Sequence, residues 1–210
     1  MIKILIADDH AIVREGLKQI VHETPDMVVA DEASNGQEML NKVLKNDYDV
    51  LVLDISMPGR NGLDVLKQLK SLRPELPVLV LSIYPEAQYA VRTLRAGAAG
   101  YLTKQSAPEE LVKAIRKVSR GRKYVSPSLA EKLAYDLEIK GEKPPHETLS
   151  DREYQVLRMI TSGKTATEIA EELCLSVKTI STYRYRILEK MKMKSNAELI
   201  HYAIKNRLVD

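Results

Sequence analysis

The stretch Asp49-Val50-Leu51-Val52-Leu53-Asp54 constrains the fold more than any other part of the sequence. Four apolar residues follow one another without interruption, and an aspartate stands at the end. A strand that is covered by helices on both faces has this composition, whereas a strand with one face in water alternates apolar and polar residues. The stretch therefore predicts a buried strand of a parallel sheet, with Asp54 at its carboxyl end.

Four similar apolar runs lie outward from this stretch, at Ile2–Ala7, Met27–Ala30, Val78–Ser82 and Ala99–Leu102. Segments in which apolar residues recur at helical spacing separate them. Five strand–helix repeats predict βαβ units and a doubly wound α/β fold with a five-stranded parallel sheet. Because Met1 runs directly into the first strand, no N-terminal signal segment is expected.

The C-terminal part has no strand pattern and carries three predicted capping boxes instead. These boxes are Ser150–Glu153, Thr165–Glu168 and Ser195–Glu198. A further helix is predicted to begin after Ser176, which gives helices near 150–161, 166–173, 177–191 and 196–205. The short connection Cys174-Leu175-Ser176 joins the second and third helices, as in a helix-turn-helix.

The sequence therefore predicts two domains and a connection between them. Residues 1–120 form the α/β domain, and residues 149–210 form a small all-α domain of four helices. Residues 121–148 are a linker with a short helix over Ser128–Glu138. Two prolines near His146 are expected to stop regular structure before the second domain.

The composition is that of a globular protein that is not embedded in a membrane. Hydrophobic residues make up 44% and charged residues 29% of the chain, and the longest apolar runs are far short of the roughly 20 residues of a membrane span. The single cysteine, Cys174, excludes an internal disulfide and fits a reducing compartment. We therefore expect a cytoplasmic protein without a membrane partner.

The positive charge is concentrated near the C-terminus. The net charge is +3, and residues 149–210 hold 11 basic and 8 acidic side chains, whereas residues 1–120 hold 16 of each. Ser176–Lys194 carries six positive charges against Glu189 alone. Such an excess indicates contact with a polyanion such as double-stranded DNA. A solvated basic helix is the alternative interpretation of the charge run by itself.

Polar residues stand at the ends of four predicted strands. They are Asp8, Asp9, Asp54, Ser82, Thr103 and Lys104. Ligands of such sheets bind at the carboxyl ends of the strands, and clustered carboxylates call for a cation. Oxygen ligands suit Mg²⁺. Lys104 and Ser82 would contact phosphoryl oxygens, and Asp54 would be the nucleophile that forms an acyl phosphate. His10 is interpreted as a helix-start residue.

The third helix of the C-terminal domain divides into two faces at 100° per residue. The apolar face, which should pack on the other helices, contains Val177, Ile180, Ile187, Leu188 and Met191. The opposite face presents Lys178, Thr182, Tyr185 and Arg186, with Thr179 and Ser181 at its flanks. Arg184 falls near the apolar face, where its stem is expected to pack. Side chains on such a helix reach base edges in the major groove, and basic ones hold phosphates.

The N-terminal motifs resemble the receiver domain of two-component response regulators. They are Asp8-Asp9-His10, Asp54-Ile-Ser-Met-Pro-Gly-Arg-Asn-Gly62, Leu81-Ser82 and Gly100-Tyr101-Leu-Thr-Lys104. The resemblance implies a flavodoxin-like fold in which Asp54 takes a phosphoryl group from a sensor histidine kinase. It also implies that Asp9, Asp54 and the carbonyl of Ser56 bind Mg²⁺ with support from Asp8. Ser82 and Tyr101 would be the switch pair.

The C-terminal motifs resemble the LuxR-type helix-turn-helix. They are Leu149-Ser-Asp-Arg-Glu-Tyr-Gln-Val-Leu157, Thr167-Glu-Ile-Ala170 and Leu175-Ser-Val-Lys-Thr-Ile-Ser-Thr182. The resemblance implies that Ser181, Thr182 and Tyr185 approach bases and that Lys178, Thr179 and Arg186 approach phosphates. It also implies a homodimer formed through the last helix. Both resemblances together indicate the NarL/FixJ class, in which phosphorylation controls transcription.

Two other functions are compatible with parts of the pattern. An aspartyl phosphatase also uses an acidic strand end, but its nucleophile usually stands in an Asp-x-Asp pattern after the first strand, which Asp8-Asp9-His10 lacks. We therefore do not expect an enzyme. A constitutive DNA-binding regulator with a vestigial receiver is the other alternative, and the presence of all the acidic-site residues argues against it.

Overall fold

The computed structural model describes residues 1–57, 61–138, 144–206 and 208–209. The chain divides into two compact units, Met1–Ile139 and Lys140–Asp210. Residues 58–60 of the motif after Asp54 and residues 139–143 of the predicted linker lie outside the described residues. Within the described ranges, no helix combines the length and the apolar character that crossing a membrane requires.

The first unit is built around a five-stranded parallel sheet with the order β2-β1-β3-β4-β5. The strands are β1 Ile2–Ala7, β2 Met27–Ala33, β3 Val50–Leu53, β4 Val78–Ser82 and β5 Gly100–Thr103. The helices are α1 Ala11–His22, α2 Gly36–Lys45, α3 Gly62–Leu72, α4 Glu86–Arg95 and α5 Pro108–Val118. The predicted doubly wound fold is confirmed. The strand order reverses at β1, so the ends of β1 and β3 flank the crevice in which ligands of such sheets bind.

The central strands are buried on both faces. Every residue of β3 and β4 is buried. Ile4 and Leu79 pack with α1 and α5 in one apolar cluster. Leu51 points to the opposite face because strand side chains alternate, and it is equally buried. Burial on both sides explains why the apolar runs of the sequence do not alternate with polar residues.

The chain after α5 continues along the first unit. Tyr124 pairs with Gly100 at the edge of β5, and its N–H donates to the carbonyl oxygen of Ala99 at 2.8 Å. Helix α6 follows at Pro127–Glu138 and contacts α4. Tyr124 and Leu129 are both buried. Tyr124 and Leu129 therefore pack this segment, which the sequence predicted to be a linker, against the first unit.

The second unit contains a short 3-10 helix and four α-helices. The α-helices are α7 Asp151–Thr161, α8 Ala166–Glu172, α9 Val177–Met191 and α10 Asn196–Lys205. Their bounds agree with the predicted ones to within one residue at each end. The 3-10 helix, Pro145–Thr148, begins where we predicted no regular structure. That prediction was wrong because proline is tolerated in the first turn of a helix, where its missing N–H would have no partner.

Two of the three predicted capping boxes are confirmed. At Ser150 and at Thr165, the hydroxyl accepts the N–H of the glutamate three residues on, and that glutamate accepts the N–H of the cap residue. At Ser195 only the first half forms. The carboxylate of Glu198 accepts the N–H of Lys194 at 3.0 Å instead. The prediction of the third capping box was therefore wrong in one bond: the Glu198 carboxylate binds the N–H of Lys194, the residue before the cap, and not that of Ser195.

Gly62 opens α3 where no side chain fits. A Cβ at this position would lie 2.3 Å from the carbonyl oxygen of Ile55 and 2.4 Å from its Cα. Gly62→Ala should therefore destabilise the first unit by about 1–3 kcal/mol, the usual cost of overpacking an interior. Urea unfolding followed by circular dichroism measures the effect. Gly16→Ala in α1, where a Cβ meets no atom within 4 Å, is the control and should stabilise by about 0.5–1 kcal/mol. Equal unfolding free energies for the two variants would contradict the steric argument.

Candidate functional site

The carboxyl ends of three strands meet around the side chain of Lys104. This lysine follows β5, and its Nζ lies 2.6 Å from Asp8 Oδ2 and 2.7 Å from Asp54 Oδ2. Both aspartates are 1% exposed. A buried carboxylate is costly unless it is paired. Lys104 compensates part of this cost, but one positive charge cannot balance two negative ones, and the edge stays acidic.

Asp9 and His10 complete the acidic cluster after β1. Each of Asp8, Asp9, His10 and Asp54 offers one ligand atom, and these atoms all lie within 4.8 Å of one another. Asp9 Oδ1 lies 3.1 Å from His10 Nδ1 and is buried without a hydrogen bond in the described part of the chain. His10 is the N-cap residue of α1, and its N–H donates to Asp8 Oδ1 at 2.8 Å. The carboxylate oxygens fit a hard cation such as Mg²⁺.

The pKa values of the central pair reflect burial and pairing together. Burial raises the pKa of Asp54 above its ordinary value, and the hydrogen bonds from Lys104 and from the Ser56 N–H offset this only in part. Burial by itself would lower the pKa of Lys104. The hydrogen bonds to Asp54 and Asp8 and the charges of both carboxylates outweigh burial, so the pKa of Lys104 is raised. The lysine is therefore protonated and places a positive charge beside Asp54.

Ser82, Ser56 and Tyr101 lie on the β4 side of this edge. Ser82 is fully buried, and its Oγ lies 3.3 Å from Ser56 Oγ. The Ser56 N–H donates to Asp54 Oδ1 at 2.7 Å. Tyr101 is also fully buried, and its hydroxyl donates to the carbonyl oxygen of Tyr84 at 2.7 Å. The two serines thus join the acidic cluster, whereas Tyr101 contacts the loop after β4.

The predicted DNA-reading face of α9 is open to solvent. Its exposed side chains are Lys178, Ser181, Thr182, Tyr185 and Arg186, and Thr179 is half-buried. On the opposite side Ile180, Ile187 and Met191 are buried. Val177 was predicted to pack on that side but is 45% exposed. The prediction was wrong because Val177 is the first residue of the helix and follows the exposed Ser176 of the turn.

Two basic side chains of α9 are engaged inside the second unit. Lys190 Nζ lies 2.7 Å from an oxygen of Glu153, a carboxylate that is only 3% exposed. Arg184 is exposed instead of packing along the apolar face, and its Nε donates to Asn196 Oδ1 at 2.7 Å. These bonds tie α9 to α7 and to the first residue of α10. Of the six positive charges of Ser176–Lys194, the one on Lys190 is therefore paired with a carboxylate, and the one on Arg184 is bound to a neutral amide.

Two family models match the chain. Residues 4–116 match the response regulator receiver domain, and residues 147–203 match the bacterial regulatory proteins of the luxR family. The first match alone covers more than half of the chain. The chain belongs to the NarL/FixJ family of response regulators.

Known relatives match this response regulator over at least 96% of its length. Response regulator GacA of Pseudomonas aeruginosa is 37% identical over 100% of this chain and 99% of its own. Oxygen regulatory protein NreC of Staphylococcus carnosus is 38% identical over 99% of both chains. A solved structure of RcsB from Salmonella enterica serovar Typhimurium, bound to promoter rprA with the phosphomimetic BeF3-, has a TM-score of 0.67 and 29% identity. That match covers 96% of this chain and 98% of RcsB.

Sequence reasoning missed the residues that support the two sites of this regulator. Arg14 Nη1 donates to the carbonyl oxygen of Asp8 at 2.8 Å, and its Nε donates to Glu32 at 3.0 Å. Glu153 was predicted only as a capping-box residue. Its second bond, to Lys190, joins positions that are 37 residues apart. No local sequence pattern predicts a contact between residues so far apart. The one indication in the sequence was that Glu153 is an acidic residue on an otherwise apolar face of its helix.

Glu153→Gln tests the buried pair of this regulator. Burial opposes ionisation of Glu153, but the bonds from Lys190 and Ser150 outweigh it and hold its pKa below the ordinary 4.5. A lowered folded-state pKa contributes stability above the unfolded pKa, and that contribution is lost as the pH falls through the folded pKa. The variant should therefore unfold about 1–2 kcal/mol more easily at neutral pH. In the wild type, protonation of Glu153 should reduce the free energy of unfolding as the pH falls below about 4.5. The variant has no carboxylate at this position and should not show this reduction.

Urea unfolding of the second unit, followed by circular dichroism at neutral and acidic pH, measures both effects. Glu189→Gln is the matched control because Glu189 is exposed on α9, and it should behave like the wild type. If the two variants have the same unfolding free energy at neutral pH, the pair with Lys190 does not stabilise the unit.

Proposed function

We propose that this response regulator accepts a phosphoryl group on Asp54 from a sensor histidine kinase and regulates transcription by binding double-stranded DNA through α9. The observation that carries the proposal is the meeting of Asp8, Asp9, Asp54 and Lys104 at one edge of the sheet. The exposed polar and basic face of α9 supports the second half. A receiver domain implies a kinase as its phosphodonor.

Asp54 is the proposed nucleophile of the transfer. One of its carboxylate oxygens forms a bond to phosphorus while the P–N bond of the kinase phosphohistidine breaks. The products are an acyl phosphate on Asp54 and a neutral imidazole whose other ring nitrogen keeps its proton. Phosphoryl transfer depends on positioning and on positive charge. Lys104 supplies that charge at 2.7 Å from Asp54, and the Ser82 hydroxyl can donate to another phosphoryl oxygen.

Mg²⁺ is the proposed cofactor of this edge. Asp9, Asp54 and the carbonyl of Ser56 would hold it, with Asp8 in support. Asp9 Oδ1 supports this assignment because it is buried without a hydrogen bond in the described ranges. When bound, the ion supplies positive charge that offsets the charge of the phosphoryl group.

Helix α9 is proposed to lie in the major groove of DNA. Ser181, Thr182 and Tyr185 would approach base edges, and Lys178, Thr179 and Arg186 would approach phosphates. Solved structures show RcsB on promoter DNA with BeF3- and RcsB dimers on DNA. These relatives support DNA as the partner and a homodimer as the DNA-bound form. We assign the dimer contact of the second unit to α10.

Asp54→Asn should abolish phosphoryl addition from acetyl phosphate and Mg²⁺, because an amide cannot replace the carboxylate as nucleophile. Intact-mass spectrometry measures the addition. Footprinting on DNA selected from a random pool then shows whether the donor strengthens binding, which it should do for the wild type alone. Asp64→Asn, the same change at an exposed position of α3, should respond like the wild type. A phosphorylated Asp54→Asn protein that responds to the donor would refute the proposal.

Lys178→Ala should weaken DNA binding and reduce its salt dependence. Each phosphate contact contributes about −0.9 to the slope of log affinity against log salt concentration, so losing one contact should make the slope shallower by about that amount. Fluorescence anisotropy with labelled DNA at several salt concentrations measures the slope. Lys113→Ala removes an exposed charge from α5 and should leave the slope unchanged. Equal slopes for Lys178→Ala and the wild type would rule out the phosphate contact.

A further inference from the structure

The first turns of α4 and α6 meet at one carboxylate. Glu86, the first residue of α4, accepts hydrogen bonds at Oε2 from Ser126 Oγ at 2.6 Å and from Ser128 Oγ at 3.2 Å. Ser126 Oγ also accepts the N–H of Leu129 at 3.1 Å and so caps α6. The N-terminal end of a helix carries a partial positive charge. Glu86 therefore joins the positive ends of two helices through its negative charge.

Helix α6 has little buried surface among its described side chains. Leu129 is 2% exposed and packs inside the unit. Ala130 and Glu131 are exposed, and Leu133 is half-buried. Segments with few buried apolar contacts open locally at low free-energy cost. The serine bonds to Glu86 therefore act at the start of α6 together with the buried side chain of Leu129.

A short path connects Glu86 to the edge that carries Asp54. Ser82 Oγ accepts the N–H of Tyr84 at 3.2 Å, and the Tyr84 carbonyl accepts the hydroxyl of Tyr101. Pro85 follows with a φ of −56°. Because the proline ring fixes φ at Pro85, that torsion cannot absorb a displacement of Tyr84 before it reaches Glu86.

We infer that Glu86 is a latch that docks α6 on α4, and that the latch opens when Asp54 carries a phosphoryl group. The opening step rests on the proposed function. A phosphoryl oxygen attracts the Ser82 hydroxyl and draws Oγ toward Asp54. The bond from the Tyr84 N–H, already 3.2 Å long, is then lost, and the loop that carries Glu86 shifts. Helix α6 loses its serine bonds and relays the state of Asp54 to the chain that follows.

Hydrogen–deuterium exchange of the full chain tests the latch without any phosphodonor. Glu86→Ala should raise the exchange rates of the amides at residues 129–134 about tenfold, since hydrogen bonds to a charged group contribute at least that factor. Ser128→Ala should raise them less because the Ser126 bond and cap remain. Glu131→Gln, an exposed charge change on α6 itself, should match the wild type.

The amides of β3 serve as an internal reference in these measurements. If they exchange faster in Glu86→Ala, the variant has lost global stability. The latch is then tested by comparing the exchange rates of residues 129–134 in Ser128→Ala and in Glu131→Gln. The latch would be overturned if residues 129–134 of Glu86→Ala exchanged at the wild-type rate while the exchange rates of β3 were also unchanged. Equal exchange in Ser128→Ala and Glu131→Gln would overturn it as well.

Acetyl phosphate and Mg²⁺ test the opening step in the same experiment. In wild-type protein that has gained a phosphoryl mass, α6 should exchange nearly as fast as in unphosphorylated Glu86→Ala. Asp54→Asn should show no response to the donor. Slow α6 exchange in phosphorylated wild type would overturn the opening step and leave phosphoacceptance intact. Absence of the phosphoryl mass would refute the proposed function and the opening step together, while the Glu86 variants still decide the latch.

Discussion

The ion pairs of Lys104 with Asp8 and Asp54 are the interaction on which the candidate site depends. Lys104 follows β5, and it reaches across the end of β4 to two carboxylates that follow the adjacent strands β1 and β3. Removing either kind of charge would leave buried groups uncompensated, which is strongly destabilising. The lysine balances only part of the negative charge. The remaining negative excess costs stability and is what suits the edge to a cation. A phosphoryl group would depend on the positive charges of that cation and of Lys104.

Much of the fold could be predicted because its strands are buried on both faces. The uninterrupted apolar run of β3 has no other simple explanation in a chain with helical segments on either side of it. The docking of α6 could not be predicted in this way. It depends on Ser126 meeting Glu86, 40 residues earlier in the chain, and on Tyr124 pairing with the edge of β5. Such contacts are decided by three-dimensional packing, and the local sequence suggests only a helix after a turn.

The acidic cluster could be predicted because parallel strands place their carboxyl ends at one edge. The topology brings Asp8, Asp54 and Lys104 together whatever their distance along the chain. The groups that orient the cluster could not be predicted, because they come from helices rather than strand ends. Arg14 is the example, since its bond to the carbonyl of Asp8 depends on how α1 packs against the sheet.

For α9, too, the sequence pattern predicted which side chains lie on the outer face but not which contacts they make inside the unit. Periodicity identified Lys178, Thr182 and Tyr185 as exposed but placed the exposed Val177 and Arg184 at the apolar face. The net charge of Ser176–Lys194 did not show that one of its cations is paired inside the unit. Lys190 neutralises the buried Glu153, and Arg184 bonds to Asn196. The other four cations of Ser176–Lys194, which are also exposed, are Lys178, Arg186, Lys192 and Lys194. A helix that reads base edges must be held in a fixed orientation. The two engaged cations fix α9 on α7 and α10 and would in this way contribute to the proposed recognition, and the other four would supply the attraction to phosphates.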